Sequence, residues 1–299
     1  MKQLLLIIKR NTKVFFKDKA MFFTSLVTPL ILLVLYTTFL SELYRESFAA
    51  AMPTGVTISE KILSGAVGGQ LFSSLLAVSC VTVSFCANML SVTDKVSGVR
   101  ADLTVTPVKK QMLALGYYLS TLLTTLIISF VAIGACLVYL AIIGWYLSVL
   151  DVMLLFLDVF LLVMFGTVLS SIVNFFLTTQ GQISAVGTIV SACYGFICGA
   201  YMPISQFGEG VRTAVSFLPG TYATALLRNH AMRGAFQAME KDGIPESAIH
   251  GMRDMVDCNL YFFDTKVEEG TMYLILGGSV LLLIAVYLLM NIVKKTSKK

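Results

Sequence analysis

Residues 93–111 read TDKVSGVRADLTVTPVKKQ. They form the longest charged interruption in the first two thirds of a chain that is otherwise nearly continuous hydrocarbon, and Lys95, Arg100, Lys109 and Lys110 make it cationic. Its grammar is helix, break, helix. Thr93 or Asp94 can cap a short helix by accepting from a free backbone N–H. Gly98 permits close approach of another backbone. Thr106 and Pro107 restart the chain as N-cap and first helical residue, where the missing proline N–H costs nothing. A loop with this much local structure reads as a surface for a partner to grip.

The flanks decide the class. The 299 residues are 57% hydrophobic and 13% charged, with a mean hydropathy of +0.84. Soluble domains average about one quarter charged residues. Several apolar runs exceed the roughly 18 residues that mark a membrane-crossing helix. They are continuous rather than alternating, which excludes a β-barrel. The fold class is an all-α polytopic membrane protein. The net charge of +5 does not point to nucleic acid, because the cations sit beside the apolar runs. Cys80, Cys86, Cys136, Cys193 and Cys198 lie inside those runs and Cys258 stands alone in a polar loop, which is no disulfide framework.

Residues 1–19 predict an interfacial amphipathic helix. Leu4, Leu5, Ile8, Thr12, Phe15 and Phe16 fall on one arc, and Lys9, Lys13 and Lys17 on another, although Leu6 falls among the lysines. Such a helix suits an anionic cytoplasmic leaflet. Six spans follow, at about 20–40, 65–92, 112–143, 149–175, 183–202 and 271–293, within a membrane domain of residues 20–293. The first has an apolar core too long for a signal peptide and is read as retained. A polar loop fills 41–64, and the charged island fills 93–111. Residues 203–234 hold apolar stretches too short to cross, broken by Pro203, Gly208, Gly210, Pro219 and Gly220. They read as a re-entrant hairpin. An outer polar lobe at 235–270 and a basic tail at 294–299 complete the chain. Fourteen of the 22 Lys and Arg fall in the opening, island and tail, so both termini and the island are assigned to the cytoplasm.

Missing motifs narrow the function. The sequence has no GxxxxGK[ST], HExxH or GxSxG motif. His230 and His250 fall in the outer polar region without metal-ligand spacing. No catalytic residue, metal site or bound cofactor is expected, and energy must come from a partner or an ion gradient. Asp158 lies inside a span, with Asp151 seven residues earlier on nearly the same face. The pair reads either as an acidic track for a cationic or amphipathic substrate or as hydrogen-bonded packing carboxylates. Phe196 and Met202 suit an apolar substrate path or simple core packing. Arg228 suits an acid partner, a lipid headgroup or a helix C-terminus.

The run Gly98, Leu103, Val105, Thr106, Pro107 resembles the cytoplasmic coupling element of type-2 ABC exporter permeases, which usually reads like G-T-x-E-x-L-x-x-T-P. Val99 stands here for the usual Thr and Ala101 for the usual Glu, with Arg100 and Asp102 supplying charge nearby. A second signature, Gly199 and Pro203 followed by FLPGTYATALLR with Pro219, Tyr222 and Arg228, is similar to the family's G-x-x-x-P…P-x-x-Y…R pattern. The resemblance extends over essentially the whole chain. It implies a half-transporter in the plasma membrane of a bacterium, paired with a second permease copy or a paralogue. Two separate ATP-binding subunits, carrying the ATP and Mg, would dock on the island and push on Val96–Leu103, with Gly98, Arg100 and Asp102 among them, and on the N-terminal helix. Exported cargo would be lipophilic or amphipathic. The rival classes are a membrane sensor or scaffold with the outer lobe as receptor, an intramembrane enzyme, which the lack of an intramembrane histidine disfavours, and an ion-gradient carrier, which usually shows repeated halves.

Overall fold

The computed structural model describes residues 2–52, 58–106, 108–263 and 265–296, and it is 84% helical. Its column is α4 (Glu60–Val96), 37 residues long and so about 55 Å. Apolar and small residues occupy all sides of this helix, and 94% of its most apolar window is buried. Two of its polar side chains bond across the packing: Asn88 Nδ2 donates to Ser170 at 3.0 Å and Ser171 at 2.9 Å, and Gln70 donates to Tyr44 at 3.3 Å. Around this column pack α2 (Lys19–Leu35), α6 (Lys110–Ile143), α7 (Val149–Phe176), α8 (Gln180–Ile197) and α10 (Pro219–Lys241). An outer helix, α12 (Glu269–Thr296), lies on α7 and α10, and α1 (Lys2–Lys17) lies on α6.

Side-chain caps set several of the helix starts. Ser148 and Asp151 form a reciprocal capping box at α7, and Thr179 and Gln182 form another at α8. Glycine sets the closest approaches. A Cβ on Gly234 would stand 1.7 Å from the Tyr146 carbonyl oxygen, and one on Gly69 2.7 Å from that of Ala231. Only hydrogen fits there, so α10 is seated backbone-to-backbone against the α6–α7 turn and against α4.

Among the described residues, five helices are long and apolar enough to cross a membrane: Lys19–Ala50, Glu60–Val96, Gln111–Ile143, Val149–Phe176 and Glu269–Ile292. The chain is a multi-pass membrane protein. α8, with 18 residues and two glutamines in its first turn, is not among the five.

Several expectations are corrected. The loop assigned to 41–64 is helical as far as Ala50. A π-helical turn (Tyr36–Leu40) joins α2 to α3 (Ser41–Ala50), and Tyr44 and Phe48, one turn apart, bury against the core. The boundary drawn between hairpin and lobe at 234/235 falls inside α10, because RNHAM at 228–232 is buried and Arg233 half-buried rather than solvated. The short α9 (Glu209–Ser216) precedes α10. After it come α11 (Glu246–Met255) and an antiparallel hairpin of β1 (Leu260–Phe262) and β2 (Thr265–Val267). On α1 the protein-facing stripe is Ile7, Asn11 and Phe15; of the predicted apolar arc, Leu5 and Phe16 remain exposed.

Candidate coupling surface and transmembrane groove

The island is compact and anchored. α4 continues unbroken through Thr93 and Asp94 to Val96, so neither residue caps a helix start as expected. The turn comes at Gly98, whose φ of 85° is left-handed and favours glycine. Nothing lies within 4 Å of its would-be Cβ, so backbone conformation rather than close approach requires the residue. A seven-residue helix follows, α5 (Val99–Val105), with no buried residue. Val96, Asp102 and Thr106 are exposed, and Val105 is 88% exposed. Thr106 ends α5 instead of starting α6: its hydroxyl donates to the Leu103 carbonyl at 2.6 Å, and α6 begins at Lys110. Pro107 lies outside the described residues.

The underside of α5 is held by two contacts. Leu103 packs on the cluster of Ile7, Leu113 and Tyr117. The Arg100 guanidinium sits 5.7 Å from the centre of the Tyr117 ring. Just behind it, at the end of α4, two adjacent side chains bind in different directions. Asp94, 4% exposed, pairs with Arg10 of α1 and accepts from the Tyr117 hydroxyl of α6 at 2.6 Å. The Asp94 hydrogen bond raises the Arg10 pKa above its ordinary value, outweighing the burial that opposes it. Lys95 Nζ donates to the carbonyls of Asn174 at 2.7 Å and of Phe175 and Leu177 at 3.3 Å, closing the end of α7. Seated on Gly116, Ile7 completes the anchor of α1, with Asn11 donating to Ser120 at 3.2 Å.

A groove of about 1260 Å³ runs between α2, the π-helical turn and α8. Val27, Ile31, Tyr36, Phe39, Ile183 and Thr188 are among its walls, and among the described residues none that lines it is charged. Phe196 and Met202 line it; Asp151 and Asp158 do not. Tyr36, in the π turn, donates to the Ala200 carbonyl at 3.2 Å and so ties the two walls together. π turns recur at functional sites, and nothing in the local sequence marked this one.

The two carboxylates belong instead to a buried ionic cluster that joins α7, α10 and α12. Asp158, 1% exposed, receives the Tyr273 hydroxyl at 2.6 Å and faces His230 Nδ1 at 2.6 Å. Arg233 bridges Asp151 at 3.2 Å and Glu269 at 3.0 Å. His230 is therefore not in solvent, as the sequence suggested, but 0% exposed between helices. The satisfied carboxylates fit the packing alternative.

The second signature organises the turn from α8 into α10. Gly199 takes φ 74°, Pro203 starts a 3-10 turn, Pro219 is the first residue of α10, and the Tyr222 hydroxyl donates to the Ser216 carbonyl at 2.6 Å. Arg228, 1% exposed, donates to the Gly199 carbonyl and pairs with Asp257 at 3.4 Å. Of its three expected partners, the acid and the carbonyls after α8 are the ones it meets. Burial raises the Asp257 pKa, opposed by Arg228 and by the N–H groups of Ile204 and Ser205.

A search of curated proteins finds no match to the chain. One family does match, over residues 2–231, from α1 through the island and groove to the buried histidine of α10. On that match the chain belongs to the ABC-2 type transporter family, as a membrane permease component that is not itself catalytic.

Proposed function

We propose that this chain is the half-transporter of an ATP-driven exporter in a bacterial plasma membrane. α8 serves as a sixth span, which leaves both termini and the island on the cytoplasmic side. Residues 203–234 dip into the outer leaflet, with α10 starting against Tyr194 of α8. A second permease, identical or paralogous, covers α2 and α8. Two separate ATP-binding subunits carry the ATP and Mg and dock on α5.

The observation that carries the reading is α5 itself. It is short, has no buried residue and is joined through Ser97 and Gly98 to α4, 94% of whose most apolar window is buried. A push on Val96, Asp102, Val105 or Thr106 reaches α4 directly, α1 and α6 through Asp94, and α7 through Lys95. Pro107 belongs to the same contact by resemblance. The uncharged groove, with Phe196 and Met202, suits a lipophilic or amphipathic cargo such as a drug, antibiotic, peptide or lipid-like molecule.

Affinity capture from the native membrane tests the reading. Wild type should co-purify with a protein carrying a GxxxxGK[ST] motif. D102K/V105E, which alters only exposed side chains, should lose it while eluting normally on gel filtration. If no such ATPase accompanies the wild type, the proposal fails.

A further inference from the structure

We propose that the outward side of α1 is a binding site for the headgroup of an anionic phospholipid. Lys9, Lys13 and Lys17 form a ladder with one helical turn between rungs, and all three are exposed. Among the described residues none of them has an ion pair or hydrogen bond. They border a groove of about 650 Å³ whose apolar walls are Leu6 and Val14. The one acid lining it is Asp18, already engaged as the N-cap of α2 through Met21 N at 3.1 Å.

The ladder cannot roll away. The opposite side of α1 is fixed by Ile7 against Gly116, Asn11 on Ser120 and Arg10 on Asp94. The ladder also ends where a candidate span begins. α2 starts at Lys19, two residues past the last rung, and opens a candidate span of which only 17% is buried, with Phe23 and Val27 exposed. Leu5 and Phe16 add an exposed apolar edge beside the lysines. A soluble anion would engage the cations alone. A phospholipid matches both surfaces, with its charged headgroup on the ladder and its acyl chains along α2.

Native mass spectrometry of the full chain in neutral detergent reads this directly, with dioleoyl phosphatidylglycerol, dioleoyl phosphatidylcholine and inorganic phosphate titrated in parallel. Wild type should prefer phosphatidylglycerol over phosphatidylcholine by on the order of fivefold per lysine engaged. K9Q/K13Q/K17Q should bind the two lipids equally. K61Q/K241Q/K266Q, which removes the same charge from other exposed positions, should keep the wild-type preference. A preference that survives the first variant, or is lost equally in both, overturns the site, as does displacement of the lipid by millimolar phosphate. Should the first variant misfold, K13Q alone decides: an unchanged preference overturns the proposal.

Discussion

Lys95 Nζ donates to the Asn174 carbonyl at 2.7 Å, so the last charged residue of α4 closes the final turn of α7. Replacing it with Met removes the Lys95 donor from two α7 carbonyls and from that of the C-cap Leu177. A loss of about 1–3 kcal/mol is expected, read as a lower unfolding temperature in detergent and faster amide exchange near residues 174–178. Lys95→Arg should recover most of it.

Arg10 and Asp94 are unequal partners, with side chains 35% and 6% exposed. Arg10→Gln strands a buried carboxylate with Tyr117 as its remaining donor and should cost about 1–3 kcal/mol. Asp94→Asn still accepts from Tyr117 and leaves an arginine with access to water, so its cost should be smaller. Thermal unfolding of both variants checks the order.

Asp158 and His230 are each 1% exposed at the side chain. Asp158→Leu or His230→Leu alone should cost about 3–5 kcal/mol, because either breaks a buried pair and leaves one member in place, with Tyr273 as the remaining donor where that member is Asp158. The double substitution should cost less than the sum of the two. A double-mutant cycle on unfolding free energy measures that coupling.

Gly234→Ala drives a methyl group into the Tyr146 carbonyl. The expected loss is at least about 3 kcal/mol, the top of the range for overpacking, because the obstacle is backbone. Gly181→Ala, with nothing within 4 Å, should cost nothing. Expression level and unfolding temperature separate the two.

Cys258 is 2% exposed, and burial pushes its thiol up to about 12. At pH 8 only on the order of one molecule in ten thousand carries the thiolate. Maleimide should therefore leave Cys258 unlabelled between pH 7 and 9 and modify it after denaturation in SDS, as read by peptide mass.

The sequence was clearest where periodicity and composition speak locally. The membrane class, the island between two long apolar helices and the lysine ladder of α1 all follow from residues close in the chain. Contacts between distant residues were hidden. His230 meets Asp158 across 72 positions, and a polar run in a region without a long apolar stretch looks solvated until three helices close over it. A signal did exist: Asp151 and Asp158 stand seven residues apart, His230 and Arg233 three, and Glu269 and Tyr273 four, each pair on one helical face. Thr106 misled because an N-cap and a C-cap both place a hydroxyl near free backbone groups. Only the carbonyl that it reaches separates the two.

The π-helical turn at Tyr36–Leu40 sets the rotational phase of α3. Tyr36 and Tyr44 are eight residues apart and both buried. In an unbroken α-helix that spacing would rotate Tyr44 about 80° away from Tyr36. The residue accommodated by the wider turn removes roughly 100° of rotation, returning Tyr44 and Phe48 to the side that already carries Ser25 and Leu32. Deleting Thr37 or Thr38 would thus let the segment close as an unbroken α-helix in which Tyr44 and Phe48 keep their side, because a spacing of seven residues returns to within about 20° of Tyr36.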